Sequence, residues 1–263
     1  MSEKRLPVKR TAKLYIGGEF PRSESGRSYE VLGTDGELLA WAAKTAFNRG
    51  QILYRVAELM EGRRSQFEGE LKDAGAKDPA KGVSAAIDRW VWYAGWADKI
   101  HQIQGAANPV AGPYFNFTIP EPTGVVGVVA PQDQSLLGLV SRLAPAIVSG
   151  NTAVLLASQQ APLPAVSLGE VLATSDVPGG VVNVLTGFTE ELVPWLAGHM
   201  DVNAIDATGV PDELRREVEE LSAENVKRVH YAPDADPFDD EAQSPYEITA
   251  FVEFKTVWHP MGA

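Results

Sequence analysis

From Asn48 to Asp73 the apolar residues Ile52, Val56, Leu59, Phe67 and Leu71 recur at helical spacing, one stripe of an amphipathic helix. Gly75–Gly82 breaks the pattern. A second helix is predicted from there to about Gln104, with Ile87, Val91, Ala94 and Ile100 on one face. Trp90, Trp92 and Trp96 fall on this second helix, and read as aromatic anchors between helices rather than as a ligand platform. Ahead of the helices, Lys13–Phe20 and Tyr29–Gly33 read as short strands separated by the turn-forming stretch Pro21–Gly26.

The texture changes after the Gly105–Gly112 loop. Tyr114–Ile119 is strand-like. Short strand candidates follow at Gly124–Ala130, Thr152–Leu156, Val181–Leu185, Asn203–Ala207 and Lys227–Tyr231, the first three continuously apolar. Between them lie helix candidates Ser135–Ser149, Leu163–Ser175, Glu190–Gly198 and Pro211–Ala223. Apolar strands alternating with helices predict an α/β fold, a Rossmann-like parallel sheet with flanking helices. The run Asp234–Glu241 is acidic, contains Pro237, and reads as a solvated linker, since it lacks the glycine and spacing of a calcium loop. Tyr246–His259 closes the pattern as one more strand, rich in β-branched and aromatic residues.

Composition narrows the function classes. The 263 residues are 44 % hydrophobic, enough for a core, and no stretch reaches the roughly 18 apolar residues of a membrane span. Lys4, Arg5, Lys9, Arg10 and Lys13 make the start basic, but no apolar core follows, so no signal peptide is expected. A net charge of −12 argues against binding a phosphate backbone. The expected protein is cytoplasmic, with no nucleic-acid or membrane partner. The chain has no cysteine, which removes disulfides, thiolate metal sites and cysteine nucleophiles. His101, His199, His230 and His259 are scattered without ligand spacing, so no metal site is expected. Neither a Gly-x-Ser-x-Gly elbow nor a phosphate-binding Gly-Lys-Ser/Thr loop occurs.

Several segments resemble the aldehyde dehydrogenase superfamily, in family order. Glu121–Pro131 resembles the strand that opens its nucleotide-binding domain, and Pro145–Thr152 the next helix end and strand start. Val177–Gly187 is similar to a third motif, Lys13–Phe20 to the N-terminal strand, and Ala250–Val257 to the final oligomerisation strand. The resemblance implies four parts. Residues 1–120 hold the N-terminal strands, two long helices and the first oligomerisation strand; 121–232 a Rossmann-like domain; 233–245 an acidic linker in place of the catalytic domain; and 246–263 the last oligomerisation strand.

The departures from the family pattern carry the functional expectation. The family attacks aldehydes with a cysteine thiolate, and this chain has none. Its oxyanion asparagine, two positions after Pro131, is Asp133 here, and a carboxylate would repel an oxyanion. Asp133 with Gln132 and Gln134 reads as an unconstrained solvent-facing loop rather than a new site. Its base-bearing Glu-Leu-Gly-Gly-Lys motif corresponds to Ala232–Asp236, with neither base nor glycines. The ribose-binding Lys-Pro-Ser-Glu turn is Leu156–Gln159, and leucine donates nothing to a hydroxyl. The Phe-Thr-Gly-Ser turn beside the pyrophosphate is Ala207–Val210, with Leu214 on a later glycine and Asp212 and Glu213 adding negative charge.

The implied cofactor positions Pro131, Leu156, Gly187, Thr208, Gly209 and Leu214 are therefore expected to be vestigial, with no cofactor bound. NAD or NADP enters only if the pocket still works. The leading expectation is a catalytically inactive subunit that assembles with a full-length aldehyde dehydrogenase. Its interface would be Tyr114, Phe115, Phe117, Phe251, Val252, Phe254, Lys255 and Trp258, adding strands to the partner's sheet. Alternation puts Phe251 and Lys255 on one side of the last strand, with Val252, Phe254 and Trp258 on the other. The alternatives are a residual NAD(P)-dependent oxidoreductase and a nucleotide- or metabolite-sensing module using the crevice.

Overall fold

The computed structural model describes residues 14–20 and 40–262. The expected strand Tyr29–Gly33 and its preceding turn lie outside the described residues.

The first helical pattern folds as two helices, α1 (Ala46–Gly62) and α2 (Arg64–Asp73), broken at Arg63. The second does the same, as α3 (Pro79–Trp96) and α4 (Ile100–Gln104). Thr45 caps α1 and Asp78 caps α3, each accepting a backbone N–H of the first turn. Trp90 is completely buried, and Trp92 and Trp96 pack against the core at its edge.

Five strands form the parallel sheet: β3 (Val125–Val129), β4 (Thr152–Leu156), β5 (Val182–Leu185), β6 (Ala204–Asp206) and β7 (Arg228–His230). Their order is β5-β4-β3-β6-β7, all neighbours parallel. The crossovers are α5 (Leu137–Val148), α6 (Leu163–Leu172), α7 (Thr189–Gly198) and α8 (Asp212–Ala223). Alternation sorts the strand side chains between two cores. Val126, Val128, Ala153, Leu155, Val182 and Val184 face the cluster built with α1, α3, α5 and α6. Val129, Leu156, Ile205 and Ala207 face a smaller cluster under α7 and α8. Each fully buried aliphatic side chain contributes about 2 kcal/mol of transfer free energy.

Of the expected strand Lys13–Phe20, the described residues 14–20 do not form a ladder strand. Tyr15, buried to 1 % exposure, makes a single antiparallel bridge to Val184 at the sheet edge, and Ile16 pairs locally with Glu19.

A second, antiparallel sheet has the order β1-β2-β8, from β1 (Ala106–Asn108), β2 (Tyr114–Pro122) and β8 (Val252–Pro260). The segment Ala106–Asn108, two alanines and an asparagine, carries no strand signal of its own and pairs with Asn116–Thr118. Tyr246–His259 is likewise not one strand. Ser244 caps a short helix, α9 (Pro245–Thr249), and only then does the chain extend. The proline at its first position and the serine cap outweigh the strand propensity of the residues between.

Candidate functional site

Two places merit a functional reading: the crevice at the carboxyl ends of the parallel strands, and the outer antiparallel sheet. From β3 the chain winds first toward β4 and β5, later toward β6 and β7, so the switch lies at the ends of β3 and β6. Ligands of open α/β sheets bind at such a point.

In this chain the crevice is lined with groups that satisfy one another. The Gln132 side chain accepts from the Gln159 N–H at 2.9 Å, and Ser158 Oγ donates to the Gln132 carbonyl at 2.9 Å. The Gln159 side chain in turn accepts from the N–H of Thr189, at the start of α7, at 2.8 Å. Asp133 is exposed on the same loop and Pro131 is half-buried.

Leu156 is 1 % exposed and belongs to the cluster under α7 and α8, against which Leu185, Leu192, Leu196 and Leu214 pack. Gly187 lies against this apolar wall, since a Cβ there would come 2.7 Å from Leu192 Cδ1. Gly209 has a packing reason of its own. A Cβ would stand 2.3 Å from the Ala130 carbonyl oxygen, so only glycine lets this turn approach β3. Thr208 closes the turn, its hydroxyl accepting from the Ala232 N–H at 2.9 Å. Glu190 and Glu191 begin α7, and Asp212 and Glu213 begin α8, so both helix starts present negative charge.

At the carboxyl ends of β6 and β7 is a buried ionic cluster that no sequence motif announced. Arg142 of α5 donates to Glu247 of α9 at 2.5 Å and stands 3.7 Å from Asp206 at the end of β6. His230, closing β7, meets the same Glu247 oxygen at 3.0 Å. Burial pushes the Asp206 carboxyl up, against the pull of Arg142 and Thr208. Burial would raise Glu247 too, but the His230 ring and Arg142 guanidinium outweigh it and hold it below the ordinary carboxylate range. Nearby Tyr93 is pushed up to about 12 by burial. Four residues from four elements make this cluster, so only the fold brings them together. Among the described residues no group of His, Cys, Asp and Glu could hold a metal ion.

The acidic segment is tied down rather than freely solvated. Arg89 of α3 donates to the backbone carbonyls of Pro237 (2.9 Å) and Ala242 (3.0 Å) and to Ser141 Oγ (2.6 Å). Lys81 lies 4.2 Å from the centroid of the Phe238 ring. The carboxylates of Asp234, Asp236, Asp239 and Asp240 stay at or near the surface.

In the outer sheet, Tyr114, Phe115, Phe254 and Trp258 are exposed by between 43 and 58 %, and Phe117 is half-buried. Lys255 is exposed and pairs with Glu121 at 3.1 Å. Phe251 and Val252 correct the expected interface: they are 0 % and 1 % exposed. Phe251 precedes the strand and turns into the main core, edge-on to His230. The Phe251 carbonyl accepts from Asn151 at 2.8 Å, which fixes where β8 leaves the body. Arg228 of β7 completes this root, donating to the Ala250 and Val252 carbonyls and to Glu253.

The parallel sheet and its switch point define a Rossmann-like architecture. Comparison with known proteins makes the assignment specific. The profile of the Aldehyde dehydrogenase family matches residues 34–232. Retinal dehydrogenase 2 of Gallus gallus is 32 % identical over 256 residues, covering 85 % of this chain and 48 % of that protein. Cytosolic 10-formyltetrahydrofolate dehydrogenase of Mus musculus is 33 % identical over 260 residues, covering 86 % and 28 %. The NAD+ complex of a Bacillus cereus aldehyde dehydrogenase superposes with a TM-score of 0.71 at 25 % identity, over 85 % of this chain and 51 % of that one. The chain belongs to the aldehyde dehydrogenase family. It spans about half the length, or less, of these relatives. No helix among the described residues is long and apolar enough to cross a membrane.

Proposed function

We propose that this chain is a non-catalytic aldehyde dehydrogenase-type subunit, whose work is assembly with a full-length member of the family. The observation that carries the reading is the outer sheet. It keeps a nine-residue strand, β8, rooted by Asn151 and Arg228, with aromatic side chains exposed along it. An edge of this kind gains most by adding to another sheet, and otherwise invites aggregation. The chemistry points the same way. The chain has no cysteine for the covalent step, and residues 231–251 run from the Rossmann-like sheet to the outer strand without a catalytic domain.

The test is purification from native extract with mass spectrometry of what is retained, beside an assay of the isolated chain on an aldehyde panel. A retained full-length aldehyde dehydrogenase, with no reduced nicotinamide formed by the chain alone, is the expected result. Phe254→Asp should weaken retention by about 2 kcal/mol or more, because a charge would enter a desolvated contact. Its circular dichroism should stay native. A wild-type chain that retains no family member overturns the reading.

The NAD-bound relative supports a second reading, in which the crevice still takes a dinucleotide. Leu156, Leu192 and Leu196, which pack where the crevice would have to open, weigh against it.

A further inference from the structure

Among the described residues, only one edge of β8 is paired. Thr123 N–H donates to the Phe251 carbonyl, and Met261 N–H to the Pro113 carbonyl, one at each end of the β2–β8 ladder. The register pairs Glu253 with Glu121, Lys255 with Ile119, Val257 with Phe117 and His259 with Phe115. In an antiparallel pair, hydrogen-bonded positions alternate with non-bonded ones. The odd-numbered residues of β8 therefore turn their backbone groups to β2, and the even-numbered ones turn theirs to the free edge. Pro120, Pro122 and Pro260, which have no N–H to give, all sit at non-bonded positions of this ladder, as the parity requires.

The free edge is closed at both ends. The Val252 carbonyl is already taken by Arg228 at 2.8 Å, and Pro260 has no N–H. What remains is the N–H and C=O of Phe254, Thr256 and Trp258, with the Val252 N–H at one end and the Pro260 C=O at the other, a set whose centre is Thr256. One antiparallel register satisfies all of these groups against a second copy of the same set: Thr256 facing Thr256, and Phe254 facing Trp258. A shift one way asks for an N–H from Pro260, and a shift the other way asks for the occupied Val252 carbonyl.

The side chains agree with that register. Phe254 would lie against Trp258 of the second copy on one face, extending the edge-on contact that Trp258 makes with Tyr114 at 5.8 Å. On the other face Glu253 would oppose His259, and Lys255 would oppose Val257, so no like charges meet. We infer that, without a larger partner, two copies of this chain associate through β8 about a two-fold axis at Thr256, forming one continuous six-stranded antiparallel sheet. This does not rest on the proposed function, though both use the same edge.

The experiment uses the full chain. Light scattering after size exclusion should give about twice the 28.3 kDa of one chain. Thr256→Pro removes an N–H that only the free edge uses, and should return the mass to one chain with the circular dichroism intact. Thr256→Val keeps that N–H and should stay dimeric. Because the chain has no native cysteine, Thr256→Cys reports the axis directly. Facing residues about 5.5 Å apart are within disulfide reach, so oxidation should cross-link it. Glu253→Cys places the two thiols about 20 Å apart along the strands and should not cross-link. A monomeric wild type, a dimeric Thr256→Pro variant, or cross-linking at 253 as efficient as at 256 overturns the inference. A monomer that nevertheless retains a full-length family member would sink this inference and leave the proposed function standing. A cross-linked dimer that retains none would do the reverse.

Discussion

At the scale of single residues, Glu247 does more than its place in a short helix announces. It receives Arg142 and His230 in a site that is almost dry, and it precedes the strand that reaches outward. Glu247→Ala strands the Arg142 charge beside Asp206 alone, and should cost about 3 kcal/mol in denaturant unfolding at neutral pH. The pH dependence has a definite sign. Folding depresses the Glu247 pKa, so its contribution is present above about 4.3 and fades as the pH falls through the folded value. Asp206 is shifted upward, so its charge opposes folding and that cost is relieved on acidification; measuring both proteins in an Asp206→Asn background takes that contribution out. The gap between wild type and Glu247→Ala should therefore narrow below about pH 4; a gap constant with pH would contradict this assignment. None of this was legible beforehand. His230 looked like one of four scattered histidines, because a cluster drawn from α5, β6, β7 and α9 leaves no spacing to read.

Among the elements, the parallel strands were read almost to the residue. Continuous apolar runs such as Thr152–Leu156 admit few other environments. The misreadings fall where a local device overrides propensity. The Ser244 cap turns the start of the expected last strand into α9, and hydrogen bonding to β2 makes a strand of the short Ala106–Asn108. The acidic segment shows a third kind of override, since its charges announced solvent while its carbonyls were claimed by Arg89. Arg89→Ala should free residues 237–242 and make that stretch the first site of limited proteolysis, while the helical circular dichroism stays near wild type. Unchanged cleavage kinetics would mean that Phe238 and Lys81 hold the segment without the clamp.

For the whole molecule, family and architecture were plain from the sequence, whereas the close packing of α7 on the sheet was not. Gly127 shows the depth: a Cβ there would fall 2.9 Å from the Leu196 side chain. On the reading proposed above, this leucine wall stands in the way of a dinucleotide. Calorimetry with NAD and NADP should accordingly show no binding in the micromolar range, which would correspond to about −8 kcal/mol. A micromolar constant would mean that the leucine wall opens at small cost, and would turn the functional reading toward a nucleotide-responsive subunit.

The pairing of β2 with β8 also sets a timetable. Lys255 and Glu121, joined across that ladder, are 134 residues apart in the chain. At ribosomal rates of about 5–20 residues per second, β2 emerges on the order of ten seconds before its partner is made. Throughout that interval Tyr114, Phe115 and Phe117 stand on a strand whose main ladder does not yet exist, while the Rossmann-like strands that follow can already close with near neighbours. The outer sheet is thus completed only after the Rossmann-like strands have been made, and β2 is the surface a nascent-chain chaperone would meet.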